Sequence, residues 1–171
     1  ESSDFYGLNA GILSLDGADT TITNSAISTD AKGANGVFAY GNDTRVNISD
    51  TSITTNSDNS GGIDATGGAS IEASNLNIET SGNSSAAIRS DRGGGTLNVS
   101  QGTYTTNGTG SPAVYCTADI TVSDAVLTAN ASEGIVIEGK NSVTLKNCKV
   151  TGNMQGTYHG DENENLHTIM I

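Results

Sequence analysis

Apolar and polar positions alternate along almost the whole chain. In residues 35–60 three short runs show it: Val37-Phe38-Ala39-Tyr40, Arg45-Val46-Asn47-Ile48-Ser49 and Thr51-Ser52-Ile53-Thr54-Thr55. Each places apolar or small residues on one parity and mostly polar ones on the other. That is the period of a strand with one buried face. Gly41-Asn42-Asp43, Asp50 and residues 56–60 punctuate the runs. Three strands in about 25 residues leave no room for helical crossovers, which excludes a doubly wound sheet.

The unit repeats. Residues 9–34, 35–60, 61–85, 86–111, the shorter 112–132 and a sixth copy from residue 133 align by eye. Ile12, Val37, Ile63, Ile88, Val114 and Ile135 form one column, each after Gly or Ala. Strand two gives the columns Thr20-Val46-Ile71-Leu97-Ile120-Val143 and Ile22-Ile48-Ala73-Val99-Val122-Leu145. Strand three gives Ile27-Ile53-Ile78-Tyr104-Leu127-Val150. A single coil buries almost nothing, but stacked coils bury each column against the next. The pattern predicts an all-β parallel β-helix, a β-solenoid of about six three-stranded coils plus the start of a seventh. The right-handed form is the default for parallel crossovers.

The chain reads as one solenoid domain over residues 1–171. Residues 1–9 are expected to end an earlier coil or cover the first one, with Phe5 and Tyr6 as the covering side chains. Residues 154–165 form a longer loop, and residues 166–171 are expected to be the first strand of an incomplete seventh coil, with Ile169 over Ile135. Its open end would leave Val143, Leu145 and Val150 uncovered, an edge suited to end-to-end self-association. A start at Glu1 rather than Met fits a processed or trimmed piece of something longer.

Composition changes this picture little. Hydrophobic content of 34 % is low enough to hint at disorder, yet the strict columns argue for a thin core that needs few large residues per coil. A formal net charge of −12 with only 7 Lys and Arg disfavours nucleic acid and anionic membrane surfaces. No apolar run approaches the length of a membrane-spanning helix. Abundant Thr, Asn and Gly with few Cys and Lys fit a secreted or cell-surface bacterial protein.

Candidate chemistry lies on the outward face of strand one. One column there reads Leu13, Phe38, Asp64, Arg89, Tyr115, Val136, and the next Leu15, Tyr40, Thr66, Asp91, Thr117, Glu138. Phe38, Tyr40, Asp64, Arg89, Asp91 and Tyr115 are the candidate ligand-binding residues, since a sugar needs an apolar face to stack on and polar groups for its hydroxyls. The competing reading makes Asp64 and Arg89 a cross-strand ion pair and packs the aromatic residues under a neighbouring segment. Asp64 and Asp91 are expected about 10 Å apart, wide for a glycosidase carboxyl pair. Cys116 and Cys148 fall in different columns and are expected as two unpaired thiols. Asp161, Glu162 and Glu164, with the turns Asn42-Asp43 and Asp58-Asn59, are calcium candidates that no motif supports, so no cofactor is expected.

The repeated pattern GVFAYGNDTRVNISDTSITTN and its relatives resemble right-handed parallel β-helix proteins of the pectin-lyase-like kind, most of all bacterial adhesins and autotransporter passengers. The resemblance implies a secreted or surface-bound, non-enzymatic scaffold with glycan binding on the strand-one face. The alternative it offers is a polysaccharide lyase or glycoside hydrolase, or a degenerate relative of one. Lyases and hydrolases of this fold use clustered Asp, Lys or Arg on the coil surface, for which Asp64, Arg89 and Asp91 are the nearest match.

Overall fold

The structure, a computed structural model, describes residues 2–154 and 167–171. A short helix, α1 (Ser2–Tyr6), precedes the coils. Coil one holds β1 (Ile12–Leu15), β2 (Asp19–Thr23) and β3 (Ala26–Thr29), and coil two holds β4 (Val37–Tyr40), β5 (Arg45–Ser49) and β6 (Ser52–Thr55). Coil three is β7 (Ile63–Thr66) and β8 (Ala69–Thr80), and coil four is β9 (Ile88–Ser90) and β10 (Gly95–Thr106). Coil five holds β11 (Val114–Cys116), β12 (Asp119–Ser123) and β13 (Val126–Ala129). Coil six holds β14 (Ile135–Ile137), β15 (Ser142–Lys146) and β16 (Lys149–Gly152), and β17 (Ile169–Met170) opens the seventh.

Every described pairing is parallel and follows the expected columns. Strand one stacks as β1-β4-β7-β9-β11-β14-β17. Ile12 pairs with Val37, Val37 with Ile63, Ile63 with Ile88 and so on to Ile135 over Ile169. Strand two keeps Val46, Ile71, Leu97, Ile120 and Val143 in register. The inward residues merge into one core running along the axis, in which Ile63, Ile71, Ile78, Leu97, Ile120 and Leu127 are fully buried. Toward the last coil burial falls: Val143, Leu145 and Val150 are half-buried, and Ile171 is 92 % exposed. The expected loop at 154–165 lies, apart from Met154, outside the described residues, as does Leu166.

Two features differ from three separate strands per coil. In coils three and four, strands two and three are one continuous strand, β8 and β10. The bend between them passes through one residue in the left-handed region, followed in coil four by Gly102 at φ 103°. Asn24, Asp50, Asn75, Gln101, Asp124 and Asn147 occupy that place in the six coils, with φ between 48° and 59°. Asn and Asp tolerate this conformation because their short polar side chains bond locally. Here they also bond between coils, Asn75 Nδ2 to Asp50 Oδ1 at 2.8 Å and Asn147 Nδ2 to Asp124 Oδ1 at 2.7 Å.

The second feature is a polar ladder inside the corner before strand one. The hydroxyls of Thr29, Thr55, Thr80 and Thr106 donate to the carbonyls of Ala34, Ser60, Ser85 and Ser111. The Ala34, Ser60 and Ser85 amides each donate to the serine hydroxyl of the next coil, at 2.9 to 3.0 Å. Ser60, Ser85 and Ser111 are fully buried. Ser85→Ala is therefore expected to cost about 1–3 kcal/mol, the penalty of an orphaned buried amide at Ser60. Urea unfolding followed by circular dichroism measures it, and a loss below a few tenths of a kcal/mol would show that the ladder is not needed.

α1 does not cap the end of the stack. It lies across the flank formed by strand one. Gly7, at φ +66°, ends the helix and sits on Phe38, so close that a Cβ there would fall 2.4 Å from the ring. The hydroxyl of Thr66 donates to the Phe5 carbonyl at 3.2 Å, and Tyr6 meets Tyr40 edge-on with centroids 5.4 Å apart.

Candidate functional site

The outward residues of strand one divide into a covered part and an open part. Under α1, Phe38 and Asp64 are both 0 % exposed, although their parity points them outward. Beyond the edge of α1 the flank opens into a cleft of about 400 Å³ lined by Phe5, Arg89, Asp91, Arg92, Tyr115 and Glu138 among others. Strand register puts Arg89 between Asp64 and Tyr115 on neighbouring coils. Asp91 and Glu138 come from the ends of strand one in coils four and six.

Arg89 organises the boundary between the two parts. Its Nη2 donates to Asp91 Oδ2 at 2.6 Å, and its Nε lies 3.2 Å from the same oxygen. The same Nε is 3.5 Å from Asp64 Oδ2. Both carboxylates thus flank one guanidinium, far closer than the spacing expected from strand geometry. Asp64 pairs with Arg89, two residues before Asp91, so the two carboxylates stand on neighbouring coils rather than two coils apart. The reach of Arg89 closes the rest. The guanidinium also lies 5.9 Å from the ring centres of both Phe5 and Tyr115. Arg92 stacks on Phe5 at 3.7 Å.

The charges respond to this burial. Among the described residues neither oxygen of Asp64 accepts a hydrogen bond of good geometry, and the Ala65 amide favours its charged form only weakly. Loss of water drives its pKa up from 3.8 to about 7, and the attraction of Arg89 only partly offsets it. Burial pulls the Arg89 pKa down, but Asp64 and Asp91 outweigh it, so the guanidinium stays charged. The Tyr115 phenol is pushed up by burial and by Glu138 beside it, so it remains a neutral hydrogen-bonding group.

Of the residues singled out from sequence, Arg89, Asp91 and Tyr115 meet in the cleft. Asp64 lies behind Arg89, and Phe38 and Tyr40 lie with α1. Phe5, Arg92 and Glu138 also line the cleft. Glu138 shares its column with Asp91, which is the signal that could have found it. Phe5 was expected as a covering side chain, but its place at the cleft was not legible, because a helix brings it there from outside the repeat.

Cys116 is buried, Cys148 half-buried, and both are free thiols. Among the described residues no three His, Cys, Asp or Glu side chains gather as a metal cage. Asp58 uses its carboxylate on the Asn83 amide at 2.8 Å. Asp161, Glu162 and Glu164 lie outside the described residues.

With this geometry in place, comparison with known families gives one match: the model for the right-handed β-helix region, over residues 1–168. The chain belongs to the right-handed β-helix family. No curated protein and no solved structure matches it. Membership settles the handedness of the coil and assigns no chemistry, since one scaffold of this kind hosts unrelated functions.

Proposed function

We propose that this chain is a non-enzymatic β-helix module of a secreted or cell-surface protein, adhesin-like, which binds glycan in the cleft between Tyr115 and Glu138. The observation that carries the reading is the joint presence there of the half-exposed ring of Tyr115 and the carboxylate of Glu138, beside an Asp91 held in place by Arg89 and the Arg92 amide. A sugar ring stacks its C–H face on an aromatic ring, and its hydroxyls donate to carboxylates. The rigid stack of coils holds these groups in fixed register without a moving scaffold. Low Lys and Cys with abundant Thr, Asn and Gly fit an extracellular setting.

The test is binding to a panel of immobilised neutral and acidic polysaccharides. Tyr115→Ala and Glu138→Gln are each expected to weaken binding about tenfold, the equivalent of one good contact of roughly 1.4 kcal/mol. Wild-type affinity in both variants would discard the cleft.

A polysaccharide-degrading enzyme is the second reading, and Asp64 favours it. A carboxyl titrating near 7 is what a general acid requires. Against it, Asp64 is sealed from the cleft by Arg89 and α1, and Arg89 already holds Asp91. Release of reducing sugar or of unsaturated ends, abolished by Asp91→Ala, would establish the enzyme and sink the binding-only module.

A further inference from the structure

The surface beneath α1 is an odd one to bury. A permanent cover over a sheet buries apolar groups, because each charge removed from water must be matched by good bonds. Here the cover seals, beside the ring of Phe38, a charged pair, Asp64 at 0 % and Arg89 at 9 % exposure. The pair is loose, at 3.5 Å, and the Ala65 amide, which lacks good hydrogen-bond geometry, replaces water at Asp64 only weakly. The cover itself is slight. A helix of 5 residues has no stability of its own. Its hold includes the Thr66 bond, the edge of Tyr6 on Tyr40, Gly7 on Phe38, Phe5 beneath Arg92, and Ser3 and Asp4 against Gly33. Tyr6 is 43 % exposed even in the closed position.

We propose that α1 is a releasable strap, closed over the inner half of a longer binding track, and that the ion pair sealed beneath it keeps the closure reversible. On release, Phe38 and Tyr40 from coil two and Asp64 from coil three join Arg89, Tyr115 and Glu138 from coils four to six, which already line the cleft. Five coils at roughly 4.8 Å each make a track suited to an extended glycan chain rather than a single ring. What the track binds rests on the glycan reading above; the movement of the strap does not.

The strap has a defined dependence on pH. In the closed form the Asp64 carboxyl titrates at about 7, and once wet it returns toward its ordinary 3.8. The closed form therefore holds its proton over a range where the open form has lost it. Closure is strongest near pH 4, weakens as pH rises to 7, and is constant above that. The charged groups that act on Asp64 are Arg89 and Asp91; the other titratable or charged residues on the covering helix and the flank are Asp4, Tyr6, Tyr40 and Tyr115, with Arg92 against Phe5. Arg89 and Tyr115, both shifted upward, keep their charge state throughout.

Hydrogen exchange of residues 2–10 in the full chain, corrected for intrinsic rates, reads the strap directly. Protection is expected to fall about tenfold or more from pH 5 to pH 8, as a shift of one unit or more implies. Asp64→Asn, which cannot titrate, should flatten that profile. Tyr6→Ala should lower protection at both pH values and raise affinity for a hexasaccharide but not a disaccharide, each offered in neutral and uronic-acid form. Equal protection at pH 5 and pH 8, or an unchanged profile in Asp64→Asn, overturns the strap even if glycans bind. A pH-dependent strap on a chain that binds neither sugar keeps the strap and discards the glycan reading. Should Asp64→Asn fail to fold, the Tyr6→Ala exchange and affinity pattern decides alone, and wild-type values there overturn the proposal.

Discussion

Gly108→Ala should unfold the middle of the stack, with a loss above about 4 kcal/mol, the range reached only by a few severe mechanisms. Gly108 is buried in the turn after strand three. A Cβ on it would lie 1.8 Å from the carbonyl oxygen of Gly82, 2.3 Å from its carbon and 2.8 Å from the Asn83 nitrogen. All three are backbone atoms, so no rotamer change makes room. Gly82 stands in the same relation to Ser57 below it, with a Cβ 2.0 Å from that carbonyl oxygen. Three consecutive turns therefore nest main chain on main chain. Making room for a methyl group at Gly108 would force coil four away from coil three. The bonds from Asn107 N to Thr80 O and from Ser84 N to Thr109 O would break with it. Interiors packed like crystals do not absorb such a shift. The control is Gly17→Ala. There the added Cβ meets nothing within 4 Å, and only the left-handed φ of +79° is penalised, by about 1–2 kcal/mol. Urea midpoints for the two variants decide, and equal losses would mean that this corner of the solenoid can expand.

Glycines such as Gly108 also mark the limit of what the sequence displays. The inward columns were legible because period-two alternation and a repeat near 25 residues are both one-dimensional patterns. Register then followed by counting, and Ile135 over Ile169 needed nothing more. The left-handed bend at Asn75 was half legible: its column of Asn, Asp and Gln stands in the sequence, but it reads as a generic turn until the chain is seen to pass through it without leaving the sheet. Thr80 and Ser85 look like any polar turn residues. Only closure of the coil decides that their hydroxyls face inward, where each must find a partner. The site divides in the same way. Asp64 beside Arg89 follows from the columns. Their joint grip with Asp91 does not, because it depends on how a long side chain folds back. α1 was the least legible element. It has no periodicity to reveal it, and its position on the flank is set by contacts with Phe38, Tyr40 and Thr66, residues 31 to 61 places further along the chain.

Ile120→Ala is expected to cost about 2–5 kcal/mol, the range for a large-to-small change in a core that cannot collapse. Ile120 is fully buried, in register between Leu97 and Val143. Its neighbours above and below are fixed by ladder hydrogen bonds roughly 4.8 Å apart, so the backbone cannot close over the lost volume. The cavity also weakens both interfaces of coil five, and in a solenoid those nearest-neighbour terms supply most of the stability. Two comparisons give the number its meaning. Thr54→Ala, on the exposed side of strand three, should change stability by well under 1 kcal/mol. Val143→Ala, in the same column one coil on, removes a smaller side chain that is only half-buried, so its loss should fall below that of Ile120. If Thr54→Ala proves as damaging as Ile120→Ala in urea unfolding, the division of the strands into inward and outward faces is wrong. If Val143→Ala matches Ile120→Ala, the last coil is closed as firmly as the interior, and the fall in burial along the column has no energetic consequence.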